Sequence, residues 1–176
     1  GAVAGGVKGG FGLAGYRLEE GYRVAALAAV NSLGRPFDPA TGRLYAEPFL
    51  AEAERALLPD LSRYRGFPED YRFPLLLGQN TTLGVVATDA PLTKAEAKRL
   101  AIMAQNGLAR ALRPAHTPLD GDLVFALALE EGRGVGPMAL LRLGAYAADA
   151  LARAIARAVL LSGGAPGIPA YRVLLG

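Results

Sequence analysis

An α/β fold follows from three features of the chain: strand-like runs without polar alternation, alanine-rich stretches with helical spacing, and turn-rich breaks between them. The runs FGLAGYRL, YRVAALAAV and TTLGVVATD are built from small and β-branched residues. A strand with no polar face is normally covered on both sides. Two sheets packed between two helix layers, an αββα sandwich, accommodate both textures, although composition alone leaves other α/β arrangements open. With 176 residues, 52% of them hydrophobic, the chain fits a single domain over 1–176.

The elements come in a definite order. Residues 11–31 read as a hairpin of two strands joined at Glu19-Glu20-Gly21. The second strand ends at Asn31-Ser32-Leu33-Gly34 and runs into the turn-rich RPFDPATGR. PFLAEAERALL supplies a short helix, followed by the charged, Pro- and Tyr-containing DLSRYRGFPEDYRFP. Residues 46–80 thus look like an exposed connection, long enough to suggest a functional or processed loop. After the strand TTLGVVATD, Thr93 and Glu96 have the spacing of a capping box. The helix they start places Ala97, Leu100, Ala101, Ala104, Leu108, Ala111 and Leu112 on one face and stops before Pro114. LVFALALE is a further strand. Pro137 opens a long helix reaching about Ser162, with a stripe of Leu141, Ala145, Ala148, Ile155 and Val159. YRVLL at the end reads as a last strand. The glycine-rich opening, GAVAGGVKGGFG, enters a strand without a polar lead and has the texture of an internal segment.

Composition narrows the chemistry. The net charge is +3 and the basic residues are interspersed with acids, so the concentrated stripe expected of a nucleic-acid binder is missing. There is no cysteine, which removes disulfides, thiolate metal sites and cysteine nucleophiles. A single histidine, His116, rules out a histidine-rich metal site within one chain. No apolar run reaches the roughly 20 residues of a membrane span, and no secretory signal opens the chain. These features lead to the expectation of a cytoplasmic protein without membrane or nucleic-acid partners.

Asn80-Thr81-Thr82 stands where the connection meets a strand. It reads as a loop Asn before a strand, as a chance match to the glycosylation acceptor pattern, or as a site of self-cleavage. In the last case Thr81 Oγ attacks the Asn80 carbonyl, and hydrolysis of the resulting ester frees Thr81 as an N-terminus. The new α-amine then serves as general base for its own hydroxyl. One residue thereby supplies nucleophile and base without histidine.

NTTLGVVATDAPLTKAEAKRLAIMAQNGLARALRPAHTPLDGDLVFALA resembles the small subunit of the DmpA-type aminopeptidases, which include L-aminopeptidase/D-esterases and β-peptidyl aminopeptidases. KGGFG, VAALAAVNSLG and DPATGRL upstream resemble the end of that family's large subunit. The resemblance implies an αββα sandwich of the N-terminal-nucleophile (Ntn) hydrolase kind, related to ornithine acetyltransferase. It also implies autoproteolysis between Asn80 and Thr81, with 1–80 ending the large-subunit portion and 81–176 forming the small one. Thr81 takes the nucleophile's position and Asn31 that of an oxyanion-hole donor, although Asn31 also reads simply as a strand end. Asp122 matches an acid near the nucleophile, and Asp120 stands where some members have serine. Together they either hold Thr81 in register or bind a substrate's free amine; a plain turn is the bland alternative. His116 and Lys8 are ambiguous.

The implied reaction is hydrolysis of N-terminal residues from short peptides, amides or esters through an acyl-Thr81 intermediate, without cofactor or metal. The implied assembly is a homo-oligomer (a tetramer of processed pairs in relatives). The family carries a large-subunit segment ahead of KGGFG that this sequence does not include, so the expectation is that it was lost, left out of this chain, or replaced by a partner. A non-catalytic oligomeric remnant of the scaffold and an acyltransferase are the alternatives.

Overall fold

The computed structural model describes residues 2–67, 80–130 and 132–174. Two short strands, β1 (Val3–Ala4) and β2 (Val7–Lys8), form a small antiparallel hairpin. The main sheet follows. β3 (Gly10–Arg17) and β4 (Arg23–Asn31) pair antiparallel, β4 pairs antiparallel with β5 (Thr81–Thr88), and β5 runs parallel to β6 (Leu123–Ala128). The expected hairpin over 11–31 is therefore present, with Gly21 in the left-handed region that its turn requires (φ +94°).

One face of this sheet is packed. Its residues are Gly12, Ala14, Val24, Ala26, Ala28, Val30, Thr82, Gly84 and Val86, every second position on each strand. Against them lies α4 (Gly136–Leu160), flanked by α2 (Lys94–Ala104) and α3 (Asn106–Ala111). Small side chains let the helix come very close. A Cβ on Gly12 would fall 1.9 Å from Ala154 O, so the helix backbone rests directly on the strand. Leu100, Leu108, Leu143, Leu151, Ile155 and Leu160 fill the interior between these helices and the sheet.

The other face carries the remaining positions and nothing in the described chain covers it. Leu13, Leu27, Val85 and Phe125 are register partners in one row across all four strands. Phe11, Ala29, Leu83 and Leu123 form the next row. Phe11 is 76% exposed and Phe125 51%. The sequence expectation that these strands are covered on both faces is met on one face among the described residues, where one helix layer packs on the four-stranded sheet.

Three further expectations change. The helix expected over 94–112 breaks at Gln105, because Gly107 brings α3 close to α4; a Cβ there would lie 2.5 Å from Ala148 O. In the first half of α4, Leu141 and Ala145 face outward, while Leu143, Gly144 and Ala147 turn inward with Gly144 against Met103. The C-terminal segment forms a short helix, α5 (Tyr171–Leu174), rather than a strand. It is pinned by the buried Tyr171, whose hydroxyl donates to Gly42 O (2.8 Å) and whose ring meets Phe37.

The Thr93–Glu96 capping box forms as expected. In the connection 46–80, a 3₁₀ turn (Glu47–Phe49) and one turn of helix, α1 (Glu52–Arg55), precede a second 3₁₀ turn (Leu61–Arg63). Residues 68–79 of that connection lie outside the described residues. No helix among the described residues is long and apolar enough to cross a membrane.

Candidate active site

The sheet brings the singled-out residues to one end. Asn31, the last residue of β4, is the register partner of Thr81, the first of β5. Strand alternation puts both on the face of Leu27, Leu83 and Val85, which is the open face. Both are half-buried. Asn80 forms an isolated parallel bridge with Asp120, and the regular β5–β6 ladder begins only at Leu83↔Leu123. Thr81 and Thr82 therefore sit in a gap in the pairing, beside the Asp120-Gly121-Asp122 loop.

The contacts within this gap are short and specific. Thr81 Oγ1 donates to Asn80 O (2.6 Å), and the same carbonyl accepts from Gly121 N–H (2.9 Å). Asp122 Oδ1 accepts from Thr82 N–H (2.8 Å) and Oδ2 from His116 N–H (3.0 Å). The Asp122 side chain is only 2% exposed, and His116 Nδ1 stands 3.7 Å from its Oδ2. Asp120 Oδ1 accepts from Leu33 N–H (3.2 Å), and its Oδ2 accepts a short hydrogen bond from the Thr117 hydroxyl. The two carboxylates thus join the loop after β4, the start of β5 and the 114–122 loop. The pair Arg35↔Arg113, with two backbone bonds of 2.9 Å, ties the same loops further out.

Asn31 Oδ1 accepts from Val3 N–H (2.9 Å). That contact fixes which end of the amide is the oxygen and leaves the NH₂ end as the donor side. His116 is the one described non-glycine residue with positive φ (+55°), a conformation that directs its backbone N–H to Asp122. Lys8 is placed differently. Its Nζ donates to Gly9 O (2.8 Å) and its backbone N–H to Pro169 O (2.8 Å), contacts that hold the β1–β2 hairpin.

Sequence reasoning named Asn31, Asn80, Thr81, Asp120 and Asp122, and the fold gathers all five. It missed the backbone donors of Gly121, Thr82, Leu33 and His116, and the Thr117 hydroxyl. Glycine at the centre of Asp-Gly-Asp was the available signal, since glycine commonly marks a close backbone approach. Two clefts, of about 610 Å³ and 280 Å³, lie around Arg43, Tyr45 and Tyr171, and neither is lined by any of the five. Asn31 and Thr81 lie instead on the sheet face that nothing among the described residues covers.

A model of peptidase family S58 matches residues 1–170. The chain belongs to peptidase family S58. Proteins of Mycobacterium bovis and Mycobacterium tuberculosis, each described as an uncharacterized aminopeptidase, are 44% identical to it over 191 residues, covering 97% of this chain and 53% of theirs. A β-aminopeptidase of Burkholderia sp. superposes with a TM-score of 0.66 at 25% identity, over 99% of this chain and 50% of its own. The L-aminopeptidase D-Ala-esterase/amidase of Ochrobactrum anthropi, described as a variant of the Ntn-hydrolase fold, gives a TM-score of 0.65 at 21% identity over 97% of this chain and 47% of its own. The fold of this S58 chain is thus of the Ntn-hydrolase kind, and the resemblance to DmpA-type aminopeptidases holds. The chain spans about half the length of the relatives it matches.

Proposed function

We propose that this S58 chain cleaves itself between Asn80 and Thr81 and then acts, through Thr81, as an aminopeptidase or esterase on short peptides, amides and esters. The observation that carries the reading is the 2.6 Å contact between the Thr81 hydroxyl and the carbonyl of the preceding residue, at the position that resembles the family's cut site. In the first step the Thr81 Oγ–Asn80 C bond forms, the Asn80 C–Thr81 N bond breaks, and the hydroxyl proton ends on the released amine. Water then hydrolyses the ester, leaving the Asn80 carboxylate and a free Thr81.

In turnover, the α-amine takes the proton from Oγ as Oγ attacks the substrate carbonyl. Positioned proton transfer of this kind contributes about 10²–10⁴-fold. Asn31, beside Thr81 in register, donates to the oxyanion from its amide NH₂ end, since its Oδ1 accepts from Val3 N–H. Asp122 holds the strand start through Thr82 N–H, and its charge also keeps the new ammonium close. Asp120 holds the neighbouring loop. The wall of the substrate pocket and the cover of the open sheet face come from the part of the relatives' length that this chain does not span. Assembly into a homo-oligomer belongs to the same proposal. The uncovered face equally fits a non-catalytic assembly role, and turnover separates the two.

The test pairs wild type with Thr81→Ala in the assembled protein. Wild type should release the chromophore from aminoacyl p-nitroanilides, and Thr81→Ala should be inactive. Hydroxylamine should accelerate cleavage by trapping Asn80 as its hydroxamate. Equal turnover by the two proteins, or cleavage that hydroxylamine leaves unchanged and that persists in Thr81→Ala, contradicts the reading.

A further inference from the structure

The Asn80 carbonyl oxygen has two donors, Thr81 Oγ1 at 2.6 Å and Gly121 N–H at 2.9 Å. The two cannot keep equal roles during self-cleavage. To attack the carbonyl carbon, the Thr81 hydroxyl must give up its contact with the oxygen. Among the described residues, Gly121 N–H is then the donor that stays. We infer that Gly121 N–H is the oxyanion donor for self-cleavage at Asn80–Thr81, a role distinct from that of Asn31 in turnover. The inference rests on the self-cleavage reading above.

Three observations support it. First, the hydrogen bond reaches the oxygen that becomes negative when the carbonyl carbon turns tetrahedral, at a distance already in the normal range. A donor placed before charge develops requires no reorganisation as the reaction proceeds, and this is the basis of oxyanion stabilisation.

Second, the residues on both sides of Gly121 are anchored. Asp120 is held by Leu33 N–H and the Thr117 hydroxyl, and Asp122 by Thr82 N–H and His116 N–H. Asp122 binds the amide of residue 82 while Gly121 binds the carbonyl of residue 80, so the loop grips the chain on either side of Thr81. A last rung of parallel pairing would supply the Gly121 bond by itself. What exceeds an ordinary rung is the gap at Thr81 and Thr82, where a side-chain carboxylate takes the Thr82 amide.

Third, a side chain at position 121 would crowd the nucleophile. A Cβ there would stand 2.8 Å from Thr81 Oγ1, inside the contact distance of real side chains and in the space the nucleophile uses. Glycine at this place brings the backbone donor to the scissile carbonyl without crowding the attacking hydroxyl.

The experiment replaces the amide between Asp120 and Gly121 with an ester by semisynthesis in the full chain, removing the N–H and adding no side chain. Cleavage is followed by mass spectrometry beside wild type. The same ester in the Thr81→Ala background reports folding by its melting curve. The expected result is cleavage slowed by about 10²–10³-fold in a chain that still melts cooperatively. Gly121→Ala, its folding checked in the Thr81→Ala background, should also cleave slowly when Thr81 is present, because its methyl crowds Oγ1. Wild-type cleavage together with an equally fast ester chain overturns the Gly121 role and leaves self-cleavage standing. An uncleaved wild-type chain overturns both.

Discussion

Thr81 lies within hydrogen-bond reach of the carbonyl of its own predecessor, and Asn31 faces it from the neighbouring strand. These two residues have separable tasks. If Asn31 serves turnover and Gly121 serves cleavage, Asn31→Ala should leave the yield of the Thr81-started fragment unchanged. It should lower kcat for aminoacyl substrates by about 10²–10³-fold, the usual loss for one preorganised donor. Steady-state kinetics on fully cleaved protein check this, and a variant that stalls at the uncleaved stage contradicts the division of labour. At this scale the sequence was most informative where a side chain carries the chemistry. Asn31, Thr81, Asp120 and Asp122 stand out by residue type, spacing and family resemblance. The donors on Gly121, Thr82 and Leu33 do not, because a backbone N–H is common to every residue except proline and only the fold aims it.

The elements that hold the site in place depend on packing and on one buried charge cluster. Glu54, in the turn of helix α1, is buried and binds Arg153 through two bonds of 2.9 Å, with Arg157 also on it. Burial pushes the carboxyl up, but Arg153, the Ala51 N–H and Arg157 outweigh it and bring its pKa down to about 2, against an ordinary 4.5. A carboxyl with a lowered folded pKa stabilises the native state fully above the unfolded value. That contribution should fade as pH falls from about 4.5 to about 2, by about 3 kcal/mol in all. Urea unfolding across that range should show the loss, and Glu54→Gln should flatten it. A wild-type profile already flat between pH 5 and 2 contradicts the assignment. The cluster was not legible in sequence, since Glu54 and its arginines lie 99 and 103 positions apart. The hairpin, the capping box and the long C-terminal helix were legible because local spacing decides them. The phase of α4 and the break at Gln105 were not; close contacts of Gly144 with Met103 and of Gly107 with α4 decide those.

Among the described residues, a four-stranded sheet has helices on one side and an apolar face on the other, and the candidate nucleophile lies on that face. Uniformly apolar strands signalled cover on both sides, and the described residues, of a chain spanning about half of its relatives' length, provide one of them. Burying the remaining exposed surface of Phe11, Leu13, Leu27, Phe125 and Leu127 beneath a second layer would contribute on the order of 1 kcal/mol each and close the site from solvent. Division of the polypeptide at Thr81 is the central claim, because both the nucleophile and its base depend on it. Intact-mass measurement of the folded protein tests it most directly. The account predicts that this chain appears as fragments of 80 and 96 residues, the second beginning at Thr81, and that Thr81→Ala appears as one chain of 176. A folded wild-type protein that remains a single uncut chain would contradict it.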